Sequence, residues 1–149
     1  IGAKIMSLTE PTKKMSKSDS NPNSCIYLLD SAEEIQRKIK KAVTDTGKKI
    51  RYDPKSKPGI SNLLTIYSLF ENIPIKEAER RFQNKNYQTF KKEVAKALIK
   101  HLTPLQGRVK ELKKREGYLK EVLEEGRKKA QKVAASTMEE VKRKMGLVP

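Results

Sequence analysis

Three ammonium groups crowd one short polar stretch near the start of the sequence. Glu10–Asp19 reads EPTKKMSKSD, with Lys13, Lys14 and Lys17 set around a single Met15 and a proline at the front. Nothing in the local pattern is arranged to neutralise them. Such a segment is either an idle solvated loop or a place that an anion visits. Its residue types suit phosphate. A lysine ammonium is a compact point charge on a flexible stem. Ser16 and Ser18 offer hydroxyl donors and are small enough for backbone to approach a ligand closely.

The elements around this loop are legible in outline. Gly2–Leu8 has the mixed apolar content of a short strand, which needs a neighbour for its backbone groups. No second convincing strand follows, so the chain is expected to begin inside a larger sheet domain, as a fragment. Asn21–Ser24 is turn-rich, and Cys25–Leu29 is a short apolar segment. Ser31 with Glu34, or Asp30 with Glu33, forms a capping box. Behind it Ile35, Ile39, Ala42 and Val43 recur at helical spacing, with Arg37, Lys38, Lys40 and Lys41 on the remaining surface.

Thr44–Gly59 holds two prolines and two glycines and reads as a connection, pinned by Ile50 and Tyr52, with a turn at Asp53-Pro54-Lys55. Ser61 then opens a helix that is apolar almost all round, through Leu63, Leu64, Ile66, Tyr67, Leu69 and Phe70; it should be the central, most buried one. Pro74 sits at a helix first turn ahead of Ile75, Ala78 and Phe82. After a QNKNY turn, Tyr87, Phe90, Val94, Ala97 and Leu98 stripe another helix, which Pro104 should end or kink. Leu105, Val109 and Leu112 continue that stripe, and Gly117 breaks the chain again. Leu119, Val122, Leu123, Ala130, Val133, Ala134, Met138, Val141 and Met145 stripe a final helix that stops near Gly146. The expected fold is therefore mainly α. About five helices follow one strand and one loop, with a first part over 1–24 and a helical part over 25–149.

The bulk numbers fit that outline and narrow the partners. With 36% hydrophobic and 5% aromatic residues and no tryptophan, the core must be aliphatic and thin. A net charge of +16 implies a polyanionic partner, nucleic acid above all, or a basic solubility shell. One cysteine, Cys25, excludes an internal disulfide, and one histidine, His101, leaves no ligand set for a metal. Cys25 reads as a small buried hydrophobe and His101 as an ordinary helix residue. Nothing is long and apolar enough to span a bilayer and no secretory signal pattern occurs, so a cytoplasmic location is the default expectation.

Lys14-Met-Ser-Lys-Ser18 matches letter for letter the KMSKS signature of class I aminoacyl-tRNA synthetases. The resemblance continues through GAKIMSLTEPTKKMSKSDSNPNS, AVTDT, RYDPKSKPGISNLLTIYSL and LTPLQGRVKEL, in the order and spacing of the bacterial tryptophanyl-tRNA synthetases. The run Lys57–Leu63 separates these from the tyrosyl enzymes.

The resemblance implies a piece holding the final strand of a Rossmann-type catalytic domain, the signature loop and a helical anticodon-binding domain. It implies activation of L-tryptophan by ATP, supplied with Mg2+, and transfer to tRNA(Trp), in a homodimer. It gives Lys14 and Lys17 the phosphate-stabilising roles, since ammonium groups that close over a departing pyrophosphate favour the transition state over the ground state. It adds Met15, Ser16 and Ser18 as nucleotide contacts and places Ile5 against the adenine. Two departures stand out. Ser20 follows Asp19 where the family often has proline, although Pro22 restores some stiffness. The His-Ile-Gly-His signature, the tryptophan pocket and the acidic motif are absent, so these 149 residues alone should not activate tryptophan.

Most lysines and arginines lie opposite the apolar stripes, and the excess over acids is what argues for RNA. Arg80, Arg81, Arg108 and Arg115 are candidate tRNA contacts, because a guanidinium grips phosphate bidentately and stacks on bases. Two other readings compete: a non-catalytic basic helical module that binds nucleic acid, and a structural protein whose last helix packs on a partner.

Overall fold

The computed structural model of the protein describes residues 4–147. Five helices run in order: α1 (Ala32–Lys41), α2 (Pro58–Glu71), α3 (Ile75–Arg81), α4 (Tyr87–Lys113) and α5 (Glu116–Lys144). They divide between two compact units, one through Gln106 and one from Gly107 onward, with α4 belonging to both.

In the first unit the core gathers on α2. This helix buries every residue from Gly59 to Ser68 except Thr65, as its all-round apolar character requires. Around it pack Leu8, Ile35 and Ile39 of α1, Ala78 of α3, Phe82, and Phe90, Val94 and Leu98 of α4. Phe82 is the aromatic hinge of this core, edge-on to Tyr67 at 4.8 Å and to Phe90 at 4.7 Å. Each fully buried aliphatic or aromatic side chain here contributes about 1.5–3 kcal/mol.

Local signals set the helix ends. Ser31 caps α1 with a reciprocal box: its hydroxyl accepts from the Glu34 N–H, and the Glu34 carboxylate accepts from the Ser31 N–H at 2.8 Å. Helix α2 begins three residues earlier than Ser61. Pro58 stands at its first turn, where a missing N–H costs nothing. Asn72 ends it in the left-handed conformation (φ 52°), which asparagine tolerates.

Four other expectations are corrected. The extended segment expected over 2–8 forms one isolated antiparallel bridge, Met6 with Lys14, and no strand exists among the described residues; residues 2 and 3 lie outside them. The backbone of Met6–Leu8 meets side chains and loop residues instead of a neighbouring strand. Of the two outcomes expected at Pro104, an end to the helix is excluded, since α4 runs through it. It removes a single donor at an exposed position, and the Thr103 hydroxyl donates to the Ile99 carbonyl beside it at 2.7 Å. The break before α5 falls at Lys114–Arg115, and Gly117 lies inside the helix. Lys38, read as part of a solvated face, is buried and paired with Asp30 at 2.6 Å.

In the second unit α5 buries no residue among those described. Met138 and Met145, on the apolar stripe expected of the final helix, are 50% and 66% exposed.

Candidate functional site

The loop carrying Lys14 and Lys17 stands on a closed foot. The Ser7 N–H donates to the Lys13 carbonyl at 2.8 Å and the Met15 N–H to the Ile5 carbonyl at 3.0 Å, on either side of the Met6–Lys14 bridge. One residue further, the Leu8 N–H donates to the Ser24 carbonyl at 2.9 Å, and the Leu8 carbonyl accepts from the Val43 N–H at 2.7 Å. Residues 9–23 therefore leave and re-enter the body at neighbouring points. Ile5 and Met15 pack against the core, so the one apolar residue of the signature is an anchor.

Above this foot the loop is exposed. Lys13 is committed: it pairs with Glu10 at 2.5 Å, and that hydrogen bond holds its ammonium above the usual lysine range. This corrects the expectation that nothing local neutralises it. Lys14 and Lys17 are exposed and have no acidic partner within 4.0 Å among the described residues. Ser16 and Ser18 share a hydroxyl contact at 3.1 Å, and the Ser18 N–H leans on the Ser16 oxygen at 3.4 Å. The arrangement presents two free cations and two hydroxyls on a segment whose base is fixed. An anion is the complement of that surface.

A second support, not legible in the sequence, lies on the returning side. The Tyr27 hydroxyl donates to the Lys17 carbonyl at 3.1 Å. The Tyr27 N–H donates to Asp30, and the Lys38 ammonium sits 4.5 Å from the centre of its ring. The Asp30–Lys38 pair thus fixes the tyrosine that holds the backbone of the second signature lysine. A buried pair of this kind specifies geometry more than it adds net stability.

The run Lys57–Leu63 is accounted for residue by residue. The Lys57 ammonium donates to Asp45 at 2.7 Å and to the Tyr87 hydroxyl at 3.0 Å, while Tyr87 donates to the same Asp45 oxygen at 2.8 Å. Burial pushes the Asp45 carboxyl up, but the bonds from Lys57, Tyr87 and the Gly47 N–H outweigh it, and the net shift is downward. Gly59 admits no side chain, since a Cβ there would lie 2.1 Å from the Val43 carbonyl oxygen. Ile60 and Leu63 are core. The Ser61 hydroxyl accepts from the Asp53 N–H at 2.8 Å. The Asn62 carboxamide accepts from the Met6 N–H at 2.9 Å and donates to the Met6 carbonyl at 2.7 Å.

The arginine candidates fall two to each unit. Arg81 is paired with Glu77 at 2.7 Å and Arg108 with Glu111 at 3.2 Å. Arg115 lies over the Tyr118 ring at 4.8 Å, an exposed cation–aromatic pair. Arg80 lines an open groove of about 1020 Å³ in the first unit, with Lys48, Lys49, Arg51, Lys76 and Lys85 on its walls. Its one acid, Glu79, is engaged by the Tyr52 N–H at 2.6 Å. These five cations escaped the sequence because three, Lys48, Lys49 and Arg51, come from the 44–59 connection and two, Lys76 and Lys85, from α3 and the turn behind it. Tyr87 is half-buried with its hydroxyl engaged, and His101 is an exposed α4 residue near Glu71. Cys25 is buried, and that burial raises its thiol. No group of histidine, cysteine and acidic side chains suited to a metal occurs among the described residues.

Residues 1–103 match the family described as tRNA synthetases class I (W and Y). The chain is 50% identical over 148 residues to the tryptophan–tRNA ligase of Caldanaerobacter subterraneus subsp. tengcongensis, covering 99% of this chain and 45% of that protein. Two solved structures are similar. Tryptophanyl-tRNA synthetase from Campylobacter jejuni has a TM-score of 0.71 at 25% identity, covering 98% of this chain and 44% of that one. The enzyme from Mycoplasma pneumoniae has a TM-score of 0.66 at 36% identity, covering 72% and 35%. The chain spans under half the length of the curated relatives it matches.

Proposed function

The chain belongs to the class I tRNA synthetases of the tryptophan and tyrosine type, and from that premise we propose that it is the carboxy-terminal part of a tryptophan–tRNA ligase. The whole enzyme activates L-tryptophan with ATP, delivered as its Mg2+ complex, and transfers it to tRNA(Trp). It works in the cytoplasm as a homodimer. Residues 1–24 close the catalytic domain and carry the loop, and 25–149 form the helical part that reaches the tRNA.

The observation that carries this reading is the pair of unneutralised ammonium groups, Lys14 and Lys17, on an exposed loop whose foot is fixed. During adenylate formation the tryptophan carboxylate attacks the α-phosphate, and charge accumulates on the pyrophosphate that leaves. Free ammonium groups brought over it lower the barrier because they meet charge that the ground state has less of. A loop with a fixed base and a single hydrogen bond from Tyr27 above it opens to admit ATP and closes over it. Ser16 and Ser18 donate to phosphate oxygens, Met15 holds the loop to the core, and Ile5 borders the adenine. The basic groove around Arg80, with Arg81, Arg108 and Arg115, supplies phosphate and base contacts to the tRNA. Arg115 with Tyr118 forms a platform suited to stacking.

The test joins these residues to the amino-terminal half of the Caldanaerobacter relative and measures tryptophan-dependent pyrophosphate exchange. Lys14→Ala and Lys17→Ala are each expected to lower kcat by about 10²–10³-fold with little change in the KM for tryptophan. Unchanged rates in both would remove the reading. The 149-residue chain alone is expected to show no exchange.

A further inference from the structure

The Lys57–Leu63 run marks the family in sequence, yet none of its side chains takes part in the phosphate chemistry described above. Asn62 is its most unusual member. It is 5% exposed, on the first turns of the central helix, and its carboxamide faces the backbone of a residue 56 positions away. Both functions of that carboxamide are used on both functions of Met6: the amide oxygen accepts from the N–H at 2.9 Å and the amide nitrogen donates to the carbonyl at 2.7 Å. This is the pairing that a neighbouring strand would offer. Met6 is also the bridge partner of Lys14. The bonds flanking that bridge, Ser7 to Lys13 and Met15 to Ile5, set which loop residues stand at the foot and therefore where Lys14 and Lys17 begin.

We infer that Asn62 is a positioning residue for the signature loop: by acting as a one-residue strand partner to Met6 it fixes the register of the Met6–Lys14 bridge, and so the point from which the two ammonium groups reach an anion. The inference rests on the reading of the loop as a phosphate clamp. Two neighbours of Asn62 hold the same helical turn in place. Gly59 lets it press against the Val43 backbone, and Ser61 accepts from the Asp53 N–H. Val43 in turn donates to Leu8, two residues beyond Met6. The foot of the loop is thus referenced to the best-packed helix of the molecule rather than to the loop itself. A segment that moves at its tip gains from this, since each closure starts from the same place.

The experiment uses the 15N-labelled 149-residue chain, with amide exchange and inorganic triphosphate binding as readouts. Asn62→Ala removes both bonds; Asn62→Asp keeps an acceptor for the Met6 N–H but turns a carboxylate oxygen toward the Met6 carbonyl. In both, exchange at Met6, Ser7 and Met15 is expected to quicken roughly tenfold or more, while Val94 and Leu98 in α4 keep their protection. Triphosphate affinity is expected to weaken roughly three- to tenfold, because the competent loop register is populated a smaller fraction of the time. Unchanged exchange at Met15 would overturn the inference, and so would faster exchange with undiminished triphosphate affinity, which reduces Asn62 to a packing role. A parent chain that binds no triphosphate removes the clamp and this inference together. A parent that binds it, with Asn62→Ala binding equally well, removes this inference alone.

Discussion

Helices α2 and α5 both carry apolar side chains at helical spacing, and they end in opposite surroundings. Nine of the 14 residues of α2 are buried, whereas the 29 residues of α5 bury none of those described. The difference is visible in what surrounds each stripe. Polar residues of α2 that face inward, Ser61, Asn62 and Ser68, are each given a defined bond: Asp53, Met6 and the Ile73 carbonyl. On α5 the polar residues pair along the helix itself, as Arg127 does with Glu124 at 2.6 Å and Lys144 with Glu140 at 2.8 Å. Such pairs support an isolated helix by only a few tenths of a kcal/mol each. An apolar stripe says that a face can be covered. Committed inward-facing polar groups show that it has been.

The contrast can be broken from the largest effect downward. Phe90→Ala, at a site with no exposure and an aromatic neighbour at 4.7 Å, is expected to destabilise the first unit by about 3–5 kcal/mol. A denaturant midpoint unmoved by it would mean that the core is not centred on α2. Gly59→Ala forces a methyl toward the Val43 carbonyl oxygen and should cost about 1–3 kcal/mol in the same measurement.

Acid sharpens the contrast next. Asp53 is held down from 3.8 to about 2, chiefly by the Ser56 hydroxyl, and Asp45 is also lowered. A carboxyl with a depressed folded-state value adds stability that is present above its unfolded value and disappears as the pH falls through its folded value. Thermal midpoints of the first unit should therefore drop between pH 4 and 2, and Asp45→Asn with Asp53→Asn should flatten that slope. Smallest of all, Val133→Ala on α5 should shift stability by no more than about 0.5 kcal/mol. Gly126→Ala, where a new methyl meets open space, should raise helix content through its gain of about 0.5–1 kcal/mol in propensity.

Sequence carried the local rules well. The Ser31–Glu34 box, the central place of α2 and the cationic loop were all readable, because each depends on residues within a few positions or on a periodic face. What escaped was set by distance along the chain. Asn62 meets Met6 across 56 residues, and Tyr27 meets Lys17 across ten. A polar side chain in an apolar helix announces that it has a partner, though not which one. Lys38 escaped because it stands in a run of cations with Arg37, Lys40 and Lys41, and only the placement of Asp30 eight residues earlier turns it inward. The Gly2–Leu8 segment escaped for the reverse reason. Its composition suits a strand, but the described hydrogen bonds of Ile5–Leu8 go to the Asn62 side chain, to Lys13 and Met15 of the loop, and to the Ser24 carbonyl and the Val43 amide.

The phenol of Tyr27 gives the molecule a built-in optical reporter. The chain has five tyrosines and no tryptophan, so phenolic emission is not drained by an indole acceptor. One of those five rings lies under an ammonium group and donates its hydroxyl to the peptide of Lys17. When that peptide shifts, the hydroxyl loses its acceptor and its excited-state lifetime changes. Comparison with Tyr27→Phe isolates the signal, which makes any displacement of the Lys17 peptide measurable by light alone, without a dye or a label.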